Sequence, residues 1–154
     1  MTPIPALLNR VPIHIDVTRD HNNLDDSITF YFTDGYAIKF YHEPDCCEQV
    51  YIEDIVGDFN NLLLHPILKA EEKSSSYDPD DSSTNISNID YIESATWTFY
   101  TFAGPKGYVD VRWCGESNGY YSEEVGFEQF KYELSDLPSD LLETLREAHI
   151  ELFI

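Results

Sequence analysis

The chain has 154 residues, 29 of them Asp or Glu and 9 Lys or Arg, for a formal net charge of -20. That field repels nucleic acid and attracts basic protein, which argues against direct nucleic-acid binding. An aromatic share of 14% separates the chain from a disordered acidic tail, and a chain of this size buries roughly 70% of its unfolded surface, enough for one core.

From Pro12 to Asp20 the residues alternate, with Ile13, Ile15 and Val17 on one side and His14, Asp16, Thr18 and Asp20 on the other. This is the period of a half-buried strand with an acidic outer face. Ile28, Phe30 and Phe32 alternate likewise, Asp34-Gly35 supplies turn residues, and Tyr36, Ile38 and Phe40 resume the pattern, which predicts a hairpin. Gln49 to Val56 reads as a strand, broken at Gly57. Asp58 then suits the cap of a short inner helix through Leu64 that ends before Pro66. Ile67 to Glu72 reads as a further short strand.

Lys73 to Asn88 is Ser, Asp, Asn or Pro in nearly every position, which predicts a mobile acidic loop inside one domain. Ala95 to Phe102 alternates Trp97 and Phe99 against Thr96, Thr98 and Tyr100, turns at Gly104 to Gly107, and returns as Tyr108 to Trp113, a second hairpin. Ser117-Asn118-Gly119 turns the chain again, and Glu123 to Glu133 reads as a strand with Val125 and Phe127 inward, completing a meander. Pro138 suits a first helical position, and Leu141, Leu142, Leu145 and Ala148 recur at helical spacing, so an amphipathic helix is expected over 137–149. The expected fold is therefore α+β: one domain over 1–154, mostly antiparallel sheet built of hairpins and a meander, with the two aromatic hairpins as two layers of one sheet.

The apolar runs, such as Leu62-Leu63-Leu64, are far shorter than the roughly 20 residues of a membrane span, and no basic-then-apolar leader opens the chain. Three cysteines, two of them adjacent, make a poor disulfide framework and suit a reducing compartment. A soluble, intracellular protein is the resulting expectation.

His42, Glu43, Asp45, Cys46, Cys47 and Glu48 form the densest set of groups able to ligate metal or attack a substrate. Zinc needs three or four converging ligands, whereas successive residues of an extended segment point to opposite faces. Only His65 or Cys114 remains to complete such a site. Nearby carboxylates also disfavour a thiolate. The cluster therefore reads as a structural turn with one buried thiol, and no metal or cofactor is expected. Carboxylate pairs such as Glu53-Asp54, Glu71-Glu72 and Glu123-Glu124 arise by composition alone, with no phosphate loop, nucleophile elbow or spaced His pair beside them, which points to a protein that is not an enzyme.

The segment HEPDCCEQVYIEDIVGD (His42 to Asp58), Trp97-Thr98-Phe99-Tyr100 and the run from Arg112 to Ser122 resemble a domain family of unknown function seen largely in bacteriophage genomes. The likeness spans about residues 7 to 130. The chain departs from the family pattern at the Lys73 to Asn88 loop, at Cys114 where an aromatic is usual, and at the helix from Pro138. The resemblance implies a phage accessory protein, and such small acidic proteins look like inhibitors of host defence. The expected function is thus to bind and block a basic, nucleic-acid-binding host complex of the CRISPR-effector or restriction type, by carboxylates mimicking a phosphate backbone. The candidate contacts are Asp16, Asp20, Asp45, Glu48, Glu53, Asp54 and Asp58, with Tyr41, Tyr51, Tyr120 and Tyr121 as aromatic anchors. Two other readings are a metal-dependent or cysteine enzyme centred on His42, Cys46 and Cys47, and a structural protein of the virion.

Overall fold

The computed structural model describes residues 1–19, 25–77 and 94–152. Among them run β1 (Thr2–Pro3), β2 (Pro12–Thr18), β3 (Ser27–Phe32), β4 (Tyr36–Tyr41), β5 (Gln49–Gly57), β6 (Lys69–Ser76), β7 (Ser94–Gly104), β8 (Gly107–Ser117), β9 (Gly126–Lys131) and the helix α1 (Ser139–Glu147). All pairings are antiparallel, in a five-stranded sheet ordered β1-β6-β7-β8-β5 and a four-stranded sheet ordered β2-β3-β4-β9.

The alternation in each strand determines how the sheets meet. Ile28, Phe30, Phe32, Ile38 and Phe40 face one way from the four-stranded sheet, and Val50, Ile52, Tyr100, Phe102, Val109, Val111 and Trp113 face them from the other. The ring of Phe30 meets that of Phe102 edge-on at 5.1 Å, and Phe40 meets Tyr100 at 5.0 Å. Each such burial contributes about 1.5–3 kcal/mol, so this interface supplies most of the driving force. A second, smaller core lies behind the four-stranded sheet, where α1 lays Leu145 over Ile13, Tyr31, Ala37 and Tyr132. The buried Tyr132 hydroxyl donates to the Phe32 carbonyl, and burial pushes its pKa up to about 12.

Both hairpins form where the sequence places them. The β3–β4 connection carries Gly35 at φ 87°, the left-handed conformation that glycine adopts at least cost. The expectation that the two hairpins are layers of one sheet is corrected, because they belong to different, facing sheets. The meander is corrected too: after β8 the chain crosses over and pairs β9 with β4. β9 is Gly126–Lys131, shorter than the expected strand, and Phe127 takes the inner face opposite Phe40, with ring centroids 5.3 Å apart, yet stays 43% exposed at the sheet edge. The inner helix is a single 3-10 turn over Phe59–Leu62, with the Asp58 carboxylate accepting the Asn60 N–H at 2.9 Å as the cap. Of the expected loop, Lys73 to Ser76 belong to β6, paired with Phe99 to Thr96, while residues 78–88 lie outside the described residues. Ile13 leaves the side it should share with Ile15: the register shifts between Pro12 and His14, so Ile13 packs under α1 while Ile15 packs between the sheets. No helix among the described residues is long and apolar enough to cross a membrane.

Candidate protein-binding groove

The β4–β5 connection is built on His42 and Glu48. The His42 Nδ1 lies 2.7 Å from the Glu124 carbonyl oxygen and its Nε2 lies 3.0 Å from Glu48 Oε1. Each ring nitrogen thus faces an oxygen acceptor, one a backbone carbonyl and one a carboxylate. The Glu48 side chain, 1% exposed, also accepts the N–H groups of Asp45 at 2.6 Å and Cys46 at 3.2 Å. Those backbone bonds, the Asp45 one foremost, and the His42 contact hold its pKa down at about 2. Glu48 is therefore a fastener inside the turn, where the sequence had suggested a partner contact.

Cys46 and Cys47 are both exposed and are joined to each other as a disulfide, so the expectation of one buried thiol in this cluster is corrected. The buried thiol is Cys114 on β8, whose pKa burial pushes up to about 12. Cys114 lies opposite Tyr51 of β5. Among the described residues no three His, Cys, Asp or Glu side chains converge as a metal site.

His42 also ties the β4–β5 turn to the β8–β9 crossing, and between the two lies a groove of about 490 Å³ lined by Tyr41, Glu43, Asp45, Glu124 and Phe127. Glu43, Asp45 and Glu124 are exposed, so three carboxylates rim an aromatic floor. Burial, then the charges of Glu128 and Glu43, raise the Tyr41 hydroxyl pKa, and the Lys39 ammonium sits 5.0 Å over its ring. The groove thus has the chemistry of a site for cationic side chains with apolar stems.

The crossing is fixed by Glu123. Its carboxylate, buried at 7% exposure, accepts from the hydroxyls of Ser94 at 3.2 Å, Thr96 at 2.8 Å and Ser117. Its backbone rests on Gly115, where an added Cβ would stand 2.6 Å from the Glu123 carbonyl oxygen. Gly115 and Ser117 of the Trp113 to Ser122 run are therefore explained by the seat they form for Glu123.

The predicted contacts do not share one face. Tyr41 and Asp45 line the groove. Tyr120 and Tyr121, with rings 5.3 Å apart, occupy the turn after β8, where Tyr120 is 83% exposed. Glu53, Asp54 and Tyr51 belong to β5 in the other sheet, with Glu53 bound to Arg112 Nε at 2.7 Å. Asp58 is spent on its cap, and Asp16 on β2 meets His14 Nε2 at 2.7 Å. Asp20 lies outside the described residues. Sequence reading missed Glu124 and Phe127 as groove residues. Their only signal was the crossing, which joins residues 82 apart through the His42 bond and leaves no local pattern.

A two-sheet antiparallel β protein with one covering helix and an acidic groove is what these features define. Residues 5–127 match the Domain of unknown function DUF7448, and the chain belongs to that family. Neither a curated protein nor a solved structure matches it.

Proposed function

We propose that this protein is a binding module for a basic protein segment, which it takes in the groove between Tyr41, Glu43, Asp45, Glu124 and Phe127. The observation that carries this reading is three exposed carboxylates around an aromatic floor, in a chain of net charge -20. Long-range attraction speeds the encounter, while the aromatic rings supply the contact area that charge alone lacks. Tyr120, 83% exposed, and the half-buried Tyr121 precede Glu124 on the same crossing segment and extend the anchor set.

In the finer form of the proposal, the partner is a nucleic-acid-binding defence complex of a bacterial host, and the protein is a phage product that blocks it without catalysis. Support for this form is charge and the resemblance described above, and it does not require the acids to form one phosphate-like row. The test of the groove is a titration against a basic nucleic-acid-binding protein at low and high salt. Neutralising Glu43, Asp45 and Glu124 as Gln or Asn should weaken binding by about tenfold, about 1.4 kcal/mol. Neutralising Asp140, Glu143 and Glu147 on the helix should change it little, and equal losses would sink the groove. For the finer form, phage plating on hosts with defined defence systems is the measure, and no protection in any of them counts against it.

A further inference from the structure

We propose that the free edge of β9 is a strand-addition site for an extended, basic segment of a partner protein. This rests on the groove reading and adds a main-chain mode of recognition to it. β9 pairs with β4 on one side, and among the described residues no strand lies on its other side. Alternate residues of such an edge turn their N–H and C=O groups outward, a template for another strand. β9 is also little covered: five of its six residues are exposed, and only Phe130, packed against the smaller core, is half-buried.

The contrast with β5 shows that this edge is left open while another is closed. β5 also ends its sheet, yet Asp26 accepts the Ile52 N–H at 2.8 Å and Arg19 donates to the carbonyls of Ile52 and Glu53 at 3.2 and 3.3 Å. Those bonds occupy the groups through which β5 would pair. Arg10, which reaches β9, bonds the Gln129 side chain at 2.8 Å rather than the strand's backbone.

Charge selects the occupant. The Gly126 end of β9 opens into the groove of Glu43, Asp45 and Glu124, and Glu128 follows one turn of the pleat later. A second copy of this chain would bring another net charge of -20 to that edge and be repelled. A basic strand would be attracted, and its period of two would set every second side chain over Phe127 and the carboxylates. Lys131 closes the far end, so the basic residues of the partner belong at the Gly126 end.

The probe is a short synthetic peptide alternating lysine and valine, with two derivatives N-methylated on alternate backbone amides, one for each parity. Calorimetric titration at low salt reads all three, and changing only the peptide leaves the folding of the protein untouched. Strand addition requires that the parent binds, that one methylated parity binds within about twofold of it, and that the other loses about tenfold or more. Equal affinities of the two methylated peptides would overturn strand addition. If those equal affinities still fall with Glu43→Gln and Asp45→Asn, the groove reading stands alone, and if no peptide binds, both are overturned.

Discussion

At the scale of single residues, two buried carboxylates decide how the chain turns. Glu123 leans on Gly115 so closely that Gly115→Ala should destabilise the fold by about 1–3 kcal/mol through forced displacement of the crossing. The check is a lower urea midpoint at unchanged slope. Glu48 sets a pH dependence. Its unfolded carboxyl titrates near 4.5 and its folded one near 2, so its stabilisation is complete above about pH 4.5 and disappears as pH falls towards 2. Comparing wild type with Glu48→Gln, the stability gap should be widest near neutrality and close across that acid window in urea titrations. A gap independent of pH would show that the turn does not rely on the charge. Neither role was legible in the sequence, because a Glu among 29 acids carries no mark of burial. What buries Glu123 is three hydroxyls from two strands.

At the scale of elements, strands with strict alternation were readable, since burying one face and wetting the other imposes a period of two. β3, β4, β7 and β8 fall where that pattern puts them. The pattern failed where register shifts or length intervenes. Ile13 changes faces through the irregularity beside Pro12, and the turn that Asp58 caps ends at Leu62 because the backbone is already extended at Leu63, with ψ 139°. Trp97 and Phe99 alternate correctly with Thr98 and Tyr100, yet Thr98 and Tyr100 are the buried pair, and parity alone does not say which face is inside. The terminal helix was visible from its leucines. Leu145→Ala should cost about 2–5 kcal/mol, because the residue is 3% exposed over Tyr31 and Tyr132. Thermal unfolding followed by tyrosine fluorescence measures it, and a loss below about 0.5 kcal/mol would show the helix to be loosely attached.

For the whole molecule, the excess of negative charge predicts an unusual response to salt. Self-repulsion at -20 opposes compaction and is screened over about 10 Å at 0.1 M ionic strength, so the unfolding temperature should rise with added NaCl. The exposed pairs Arg10–Asp34 and Arg112–Glu53 act in the opposite sense, at about 0–1 kcal/mol each, and are too few to reverse it. A flat or falling melting temperature in calorimetry would contradict this. The same distribution explains why the fold was more legible than the site. A core is encoded locally by alternation, whereas the groove joins two distant segments whose acids resemble every other acid in the chain.

The family match stops at Phe127, one residue past the start of β9. Trimming the protein to its recognisable stretch would cut the outermost rung from the smaller sheet and bare Ala37, Ile38 and Phe40 along their flank. Such a fragment should precipitate or self-associate in light scattering, so boundaries drawn by kinship would misplace the unit that folds.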